Sequence, residues 1–453
     1  MILYSPSRQL IASAPANQLA NVRDRCSAWM LGLGFFFGFF SQCNLLIGGN
    51  GDGAAATGGY GYRVGDFLCV LAILLLGVRS LNPRRLVPLT IFSLLVVVLS
   101  LLRYIEPTFF DDPRTVILAL HYLGYAFGGL YLAIILEQVD ARNGFCWGLI
   151  LGLLSTVPIF VLQDTGYAST LVNLGLIPGY YAVLHLDIGE TSRYSGLWGH
   201  PNEAGLVAAL AAPGAAYLFF AQRRVVPLAL AGAALIAIFY YTQSRGGLIA
   251  GGGVLAISLL SGRRGRIHIL RLLLVGVALA IVVGLLSQID FISSRFADPG
   301  TQGNFTDRLN SILFGLGVVI THPFGMSMTD FASIMAAGTG GVATPHNGFI
   351  FFAAIFGWLP LAVLVVALAR NLSISSDADA LFAIISLGFI FTCMFEQVPG
   401  SYPFVFVLCM LVGRAFITTP VGRGLVMPIA QQRSHTPDPS FDSRLSAIKM
   451  ARL

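Results

Sequence analysis

The longest polar break in an otherwise apolar chain runs from Gln288 to Asn347 and reads QIDFISSRFADPGTQGNFTDRLNSILFGLGVVITHPFGMSMTDFASIMAAGTGGVATPHN. It closes on the tetrapeptide Thr344-Pro345-His346-Asn347, where the next apolar run begins. Its strongest candidates for polar chemistry are the basic and imidazole side chains Arg295, Arg308, His322 and His346. Because a chain of apolar helices has few places for such chemistry, this insert is where we expect the functional site.

One short segment of the insert, Asp307–Thr321, predicts an amphipathic helix. In helical register Arg308 shares a face with Gly315 and Val319. We expect this helix to lie on or dip into the outer membrane surface, with Arg308 at headgroup level. The alternative is that Arg308 only anchors the helix to lipid phosphate.

The composition around the insert is that of a membrane protein. The 453 residues are 56% hydrophobic and 11% charged, with a mean hydropathy of +0.78, whereas soluble domains are about 25% charged. Apolar runs of about 20 residues have the length needed to cross a hydrocarbon core of about 30 Å as helices. The predicted fold is therefore an all-α polytopic membrane protein.

Twelve membrane spans are predicted from the apolar runs. They occupy residues 28–47, 65–79, 86–102, 115–136, 144–163, 201–221, 226–242, 246–261, 269–287, 346–369, 379–396 and 402–420. This divides the chain into an N-terminal segment (1–27), a transmembrane domain (28–420) with long loops at 164–200 and 288–345, and a polar tail (421–453) expected to be disordered.

The distribution of basic residues predicts the orientation. With the N-terminus inside, 20 of the 27 lysines and arginines fall on one side of the twelve spans. Short cytoplasmic loops are enriched in such residues, so both termini are expected in the cytoplasm and both long loops outside it. The net charge of +6 is thus explained by topology, and we expect no nucleic-acid partner.

Several common kinds of site are not indicated. The six cysteines are scattered, without a CxxC or Cys/His cluster, so neither zinc nor a disulfide framework is predicted. The outward segments contain no P-loop, GxGxxG, HExxH or paired acidic motif. We therefore expect no metal and no cofactor.

Seven basic residues remain on the outward side, and three of them lie in distinctive contexts. Arg193 stands in TSRYSGLWGHPNEAG (191–205), a turn-rich stretch that leads into a helix beginning near Pro201. Arg245 stands in a very short turn, TQSRGG (242–247). Arg308 begins the amphipathic segment. Since arginine binds phosphate in a bidentate manner and stays charged, their convergence would suit an anionic ligand.

Each of these residues also has a plain structural explanation. The residues around Pro201 could be no more than a capped helix entry, and Arg245 could snorkel to lipid headgroups. His346 could act as a base near neutral pH, or it could be a packed or helix-capping histidine.

Four elements in order resemble the O-antigen ligase and polysaccharide polymerase superfamily of bacterial envelopes. They are Arg193 with SGLWGHPNEAG, SRGG at 244–247, Arg308 before THPFGMS, and PHNGFIFFAAIFGWLP at 345–360. The resemblance covers about residues 190–360. It implies a GT-C-like fold of about twelve helices in the bacterial inner membrane, with a large, partly helical periplasmic loop.

The resemblance also implies an activity, which is metal-independent, inverting transfer of a glycan from undecaprenyl diphosphate to a sugar hydroxyl. Arg245 and Arg308 would hold the diphosphate and His346 would be the base. The residues expected to bind substrate are Arg193, His200, Asn202 and Asn347. Partners would be the lipid-linked donor, membrane lipids and other polysaccharide-assembly proteins.

Two questions stay open at this stage. The acceptor is either lipid A core, for a ligase, or a growing glycan, for a polymerase. A flippase of lipid-linked oligosaccharide also needs many spans and outward arginines, and a non-catalytic envelope scaffold is a further alternative.

Overall fold

Long apolar segments form helices that pack side by side and bury small and aliphatic side chains between them. The structure is a computed structural model. It describes residues 22, 26, 29–30, 71, 113–136, 139–174, 176–177, 193–197, 201–222, 225–260, 299–342, 344–373, 377–395 and 402–417. Every regular element within these ranges is helical.

The helices are numbered here in chain order. They are α1 (Pro113–Ile135), α2 (Val139–Leu162), α3 (Ala168–Asn173), α4 (Pro201–Gln222), α5 (Val225–Thr242), α6 (Arg245–Leu260), α7 (Pro299–Thr321), α8 (Met328–Thr339), α9 (Gly348–Phe356), α10 (Trp358–Ser373), α11 (Asp377–Phe395) and α12 (Tyr402–Ile417). A π-helical turn, Gln163–Tyr167, joins α2 to α3.

Seven predicted spans coincide with observed helices to within a few residues, namely those matching α1, α2, α4, α5, α6, α11 and α12. The predicted spans 28–47, 65–79, 86–102 and 269–287 lie outside the described residues apart from single positions. By length and composition, Ala141–Asn173 and Val225–Thr242 are able to cross a membrane, and five further apolar helices are shorter. The all-α prediction is confirmed for the part of the chain that the structure describes.

Helices α2, α4, α5, α6 and α11 form the centre of the fold, and consecutive ones are antiparallel. Near the end of α4, the Tyr217 hydroxyl accepts a hydrogen bond from Arg142 Nε at 2.9 Å. The Arg142 Nη1 donates to the carbonyl of Leu136 at 3.0 Å. At the opposite end, the first turn of α4 meets the last turn of α5 through Arg193. We call these two ends of the bundle the Arg142 end and the Arg193 end.

Helices α4 and α6 approach closely because both carry glycine where they cross. A Cβ atom on Gly247 would lie 2.5 Å from the carbonyl carbon of Gly205, and one on Gly205 would lie 2.5 Å from Ser244 Cβ. No side chain fits between backbones at this separation. The two glycines therefore fix how near the first turn of α6 comes to α4.

Replacing Gly247 by alanine is expected to force α4 and α6 apart. The new methyl group meets backbone atoms that cannot rotate away, and overpacking of this kind destabilises by about 1–3 kcal/mol. Thermal unfolding of the detergent-solubilised protein measures the change. Gly252→Ala in the same helix is the matched control, because a Cβ there has no atom within 4 Å. Equal stability of the two variants would contradict the close approach.

A second, smaller core joins α7, α8 and α9. Its buried members are Val318, Val319, Met326, Phe331, Met335, Phe351, Ala353, Ala354 and Ile355. The predicted helix Asp307–Thr321 is in fact longer, since α7 begins at Pro299. Helix α8 was not predicted; the Ser327 side chain caps it by accepting from Asp330 N. Its composition is too mixed to resemble a membrane span.

In α7 the face predicted to carry Arg308 packs against α9. Gly315 and Val319 on the same face pack inward: a Cβ on Gly315 would lie 3.1 Å from Ile350 Cγ2, and Val319 is buried. A neighbouring face of α7 is apolar yet exposed, and its side chains recur at helical spacing. They are Leu309, Leu313, Leu316 and Ile320.

The predicted span 346–369 is wrong as a single helix. Gly357 separates α9 from α10 and has φ 89°, a left-handed conformation. The carbonyl of Pro323 accepts from Trp358 N at 2.9 Å, so the α7–α8 turn is bonded to this break. An uninterrupted apolar run gives no sign of the break except the glycine itself.

The predicted loop 164–200 is also partly helical, because α3 ends only at Asn173. Residues 1–415 form one compact unit, and residues 416–453 are a separate unit of which only Phe416 and Ile417 are described. The predicted disorder of the tail lies outside the described residues.

Candidate functional site

Arg193 joins two helices at the Arg193 end. Its Nε donates to the carbonyl of Thr242 at 3.0 Å, and its Nη2 donates to Asn202 Oδ1 at 2.7 Å. Thr242 is the last residue of α5 and Asn202 the second of α4. One guanidinium thus holds Asn202 to Thr242, which lies 49 residues after Arg193 and immediately before the turn that contains Ser244.

The turn from α5 into α6 positions Arg245 as the first residue of α6. Ser244 caps the helix, since its Oγ accepts from Gly247 N at 3.2 Å, and it lies 3.5 Å from the carbonyl oxygen of Asn202. Gln243 has φ 50°, which permits so short a turn. The backbone of Arg245 therefore lies beside the Arg193–Asn202 pair. The structure does not describe the Arg245 side chain.

Segment 193–197 is hydrogen-bonded to the end of α5 and to the π-helical turn that follows α2. Tyr194 N donates to the carbonyl of Tyr241 at 3.0 Å. The Tyr194 hydroxyl donates to Asp164 Oδ1 at 2.9 Å, and the buried carboxamide of Gln163 accepts from Gly196 N at 3.0 Å. Sequence reasoning did not single out Gln163, Asp164 or Tyr194, because isolated polar residues after an apolar run resemble an ordinary loop.

His346 stands at the entry to α9 and is half-buried. Asn347, next to it, is the N-cap: its Oδ1 accepts from Phe349 N at 3.0 Å and from Ile350 N at 3.1 Å. This capping accounts for the Asn347 side chain without a substrate. A Cβ on the following Gly348 would lie 3.1 Å from Cys393 Cβ, so the start of α9 rests against the last turn of α11.

Helix α11 contacts both α6 and the start of α9, so it relates the position of Arg245 to that of the residues next to His346. A Cβ on Gly388 would lie 3.6 Å from Val254 Cγ2, so these two residues are level with one another in α11 and α6. Counted from that level at 1.5 Å per residue, Arg245 is about 13 Å, and Cys393 about 7 Å, towards the Arg193 end. Since packed helices are about 8–10 Å apart, the backbone of Arg245 lies roughly 11 Å from the residue that supports the start of α9.

Arg308 reaches the same region along α7. A Cβ on Gly315 would lie 3.3 Å from Pro345 Cβ. Arg308 is on the same face of the helix, about two turns or 10 Å further on, and is half-buried. The contacts thus place Arg308 beyond the start of α9 and not beside the α9–α10 break.

Three of the predicted elements are therefore linked. Arg193 bonds Asn202 directly, the start of α6 adjoins that pair, and α11 connects α6 to the residues next to His346. The separation of Arg308 from Arg245 does not follow from these contacts, and His200 lies outside the described residues. Within the described ranges, no three His, Cys, Asp or Glu side chains are grouped so as to hold a metal ion.

Comparison with protein-family models, with curated proteins and with solved structures found no match to this chain. Guanidinium groups neutralise phosphate charge, and an imidazole accepts a proton from a hydroxyl. The structure brings Arg193 and the element that carries His346 to the same end of the helix bundle.

Proposed function

We propose that this protein is a membrane glycosyltransferase that moves a glycan from undecaprenyl diphosphate to a sugar hydroxyl, as an O-antigen ligase or polysaccharide polymerase does. The observation that carries the proposal is the joining of the Arg193, Ser244–Gly247 and His346 elements at one end of the bundle. The motif resemblance, which covers about residues 190–360, points to the same reaction.

In the proposed reaction the acceptor hydroxyl oxygen attacks the anomeric carbon of the donor sugar. The bond from that carbon to the diphosphate oxygen breaks, and the configuration inverts. His346 takes the hydroxyl proton, and undecaprenyl diphosphate leaves with the bonding electron pair. Arg245 and Arg308 stabilise the charge that develops on the diphosphate, which is why no metal is needed.

The setting of this reaction is proposed as the bacterial inner membrane. Twelve spans with both termini in the cytoplasm place the Arg193 end at the periplasmic face. The positions of two arginines are consistent with this orientation. The twelve-span topology puts Arg142 on the cytoplasmic side and Arg193 outside, and the two lie at opposite ends of α4. Lipid A core and a growing glycan remain the two candidate acceptors.

The test is a transfer assay with the purified full-length protein in proteoliposomes. The donor is the undecaprenyl-diphosphate oligosaccharide of the source strain, and the acceptors are the same glycan and lipid A core, with EDTA present and nucleotides absent. A new glycosidic bond of inverted configuration, with release of undecaprenyl diphosphate, supports the proposal. Donor that crosses the bilayer without forming a bond would replace the transferase with the flippase.

Asn202→Asp is expected to separate folding from donor binding. The aspartate can still accept from Arg193, and a charge-assisted bond is at least as strong as the neutral one, so thermal stability should hold. The added negative charge lies next to the proposed diphosphate site and should raise the donor KM by about tenfold or more. An unchanged donor KM in a folded Asn202→Asp protein would argue against diphosphate binding there.

A further inference from the structure

A carboxylate and several tyrosines lie together beside Arg193, on the surface formed by the ends of α2 and α5. Asp164 is exposed and accepts from the Tyr194 hydroxyl at 2.9 Å. Tyr240, in the last turn of α5, is 53% exposed. These side chains have no role in the transfer chemistry proposed above, so they need another explanation.

The rings are held in fixed positions by one another. Tyr241 stacks on Phe160 with ring centroids 5.8 Å apart and an interplanar angle of 8°. Tyr194 and Tyr240 both meet Tyr241 edge-on, at 6.1 Å and 5.2 Å. Edge-to-face and offset-stacked pairs are favourable aromatic geometries. The exposed ring of Tyr240 is therefore presented by a rigid support.

Asp164 keeps acceptor capacity for a ligand. An ionised carboxylate has about four lone-pair sites and no donor, and the Tyr194 hydroxyl occupies one of them. Tyr194 is also tied through its backbone N–H to the carbonyl of Tyr241. The position of the carboxylate relative to the rings is consequently set by the fold.

We propose that Asp164, Tyr194 and Tyr240 form a subsite for a neutral sugar residue of the transferred glycan. Sugar hydroxyls would donate to Asp164, and the C–H face of the ring would pack on Tyr240, where the negative face of the aromatic ring meets weakly positive hydrogens. The proposal rests on the proposed function, because it takes the glycan to be the ligand.

The charges give the bound substrate a direction. Arg193 and the start of α6 suit the diphosphate, whereas the Asp164 carboxylate repels it. The sugar chain therefore extends from the α4–α6 junction towards the end of α2. The same repulsion selects against a uronic acid at this subsite, so a neutral hexose or amino-sugar derivative is the class of sugar that fits.

Two measurements test the subsite separately from catalysis. The first is saturation-transfer NMR on the purified detergent-solubilised protein, with the oligosaccharide freed from its lipid diphosphate by mild acid. The second is the donor KM and kcat in proteoliposomes. The variants are Asp164→Asn and Tyr240→Ala. Asp330→Asn is the matched control, since Asp330 is an exposed aspartate that also accepts from a hydroxyl, that of Ser327 at 2.6 Å.

Both subsite variants are expected to lose most of the oligosaccharide signal and to raise the donor KM by about tenfold, with kcat within about twofold. In Asp164→Asn, the difference in binding between the neutral oligosaccharide and a uronic acid analogue should also be smaller than in the wild type. Tyr240→Trp should bind as well as the wild type if the ring face is what matters. Asp330→Asn should leave all of these values unchanged.

Three results would overturn the subsite. If both variants kept the wild-type oligosaccharide signal and donor KM, the tyrosines would be residues of the membrane interface only. A fall in kcat alone would assign Asp164 to catalysis, and equal losses in Asp330→Asn would reveal a general charge effect. If the wild type transfers no glycan but its oligosaccharide signal still depends on Asp164, the subsite stands and the transferase proposal fails.

Discussion

Proteoliposomes that contain Arg245→Ala are expected to transfer glycan about 10²–10³-fold more slowly than the wild type. Removing one fixed donor aimed at developing negative charge costs about this much in other enzymes. The loss should appear in kcat, because the charge on the diphosphate oxygen grows as the bond to the sugar breaks. Rates with saturating donor, measured from released undecaprenyl diphosphate, give the value.

Arg245→Lys refines this prediction. A lysine keeps the charge but cannot form the bidentate bond to phosphate, so its rate should lie between those of alanine and arginine. Arg370→Ala is the matched control, because Arg370 stands in the last turn of α10. Its neighbour Asn371 donates to the carbonyl of Leu411 in α12, and Arg414 of the same helix lies over Phe382 near the start of α11, away from Cys393. If Arg245→Ala retained wild-type kcat while folding normally, the start of α6 would have no part in the reaction.

The second large effect is expected for His346→Gln. General-base catalysis contributes about 10²–10⁴-fold, and glutamine keeps hydrogen-bonding capacity without accepting a proton. Initial rates with saturating donor and acceptor in the proteoliposome assay give the value.

His322→Gln is the control for His346→Gln. His322 is a histidine of the same polar insert, is exposed, and lies against Thr321, with Nδ1 2.9 Å from Thr321 Oγ1. It should keep the wild-type rate. If His346→Gln transferred glycan at the wild-type rate, His346 would have a structural role at the start of α9 and no role in catalysis.

The helices at the centre of the fold were accessible to sequence reasoning for a simple physical reason. Segments such as α4, α5 and α6 are apolar over their whole length and end at polar turns, so hydropathy and length locate them. The same criterion failed at α9 and α10, where one apolar run is divided by Gly357. It failed again at α8, whose apolar residues pack into the small core with α7 and α9 without forming a long run.

The candidate site shows a similar division. Unusual residues in turn-rich stretches, such as Arg193 and His346, could be chosen from sequence because apolar surroundings make a charged or imidazole group stand out. Their partners could not. That Asn202 accepts from Arg193 depends on how the helix ends meet, whereas Asn347 caps the start of its own helix, α9. Asp164 and Tyr194 become candidates only because of the hydrogen bond between them.

The proposed site requires the start of α6 to lie close to the start of α9. In a variant from which the native cysteines have been removed, one cysteine is placed at position 245 and one at position 346. A short bismaleimide should crosslink this pair rapidly. The pair at positions 260 and 346 should not react, because Leu260 lies about 22 Å further along α6. Rapid crosslinking of the first pair alone is the predicted result. Crosslinking of the second pair in place of the first would contradict the proposed site.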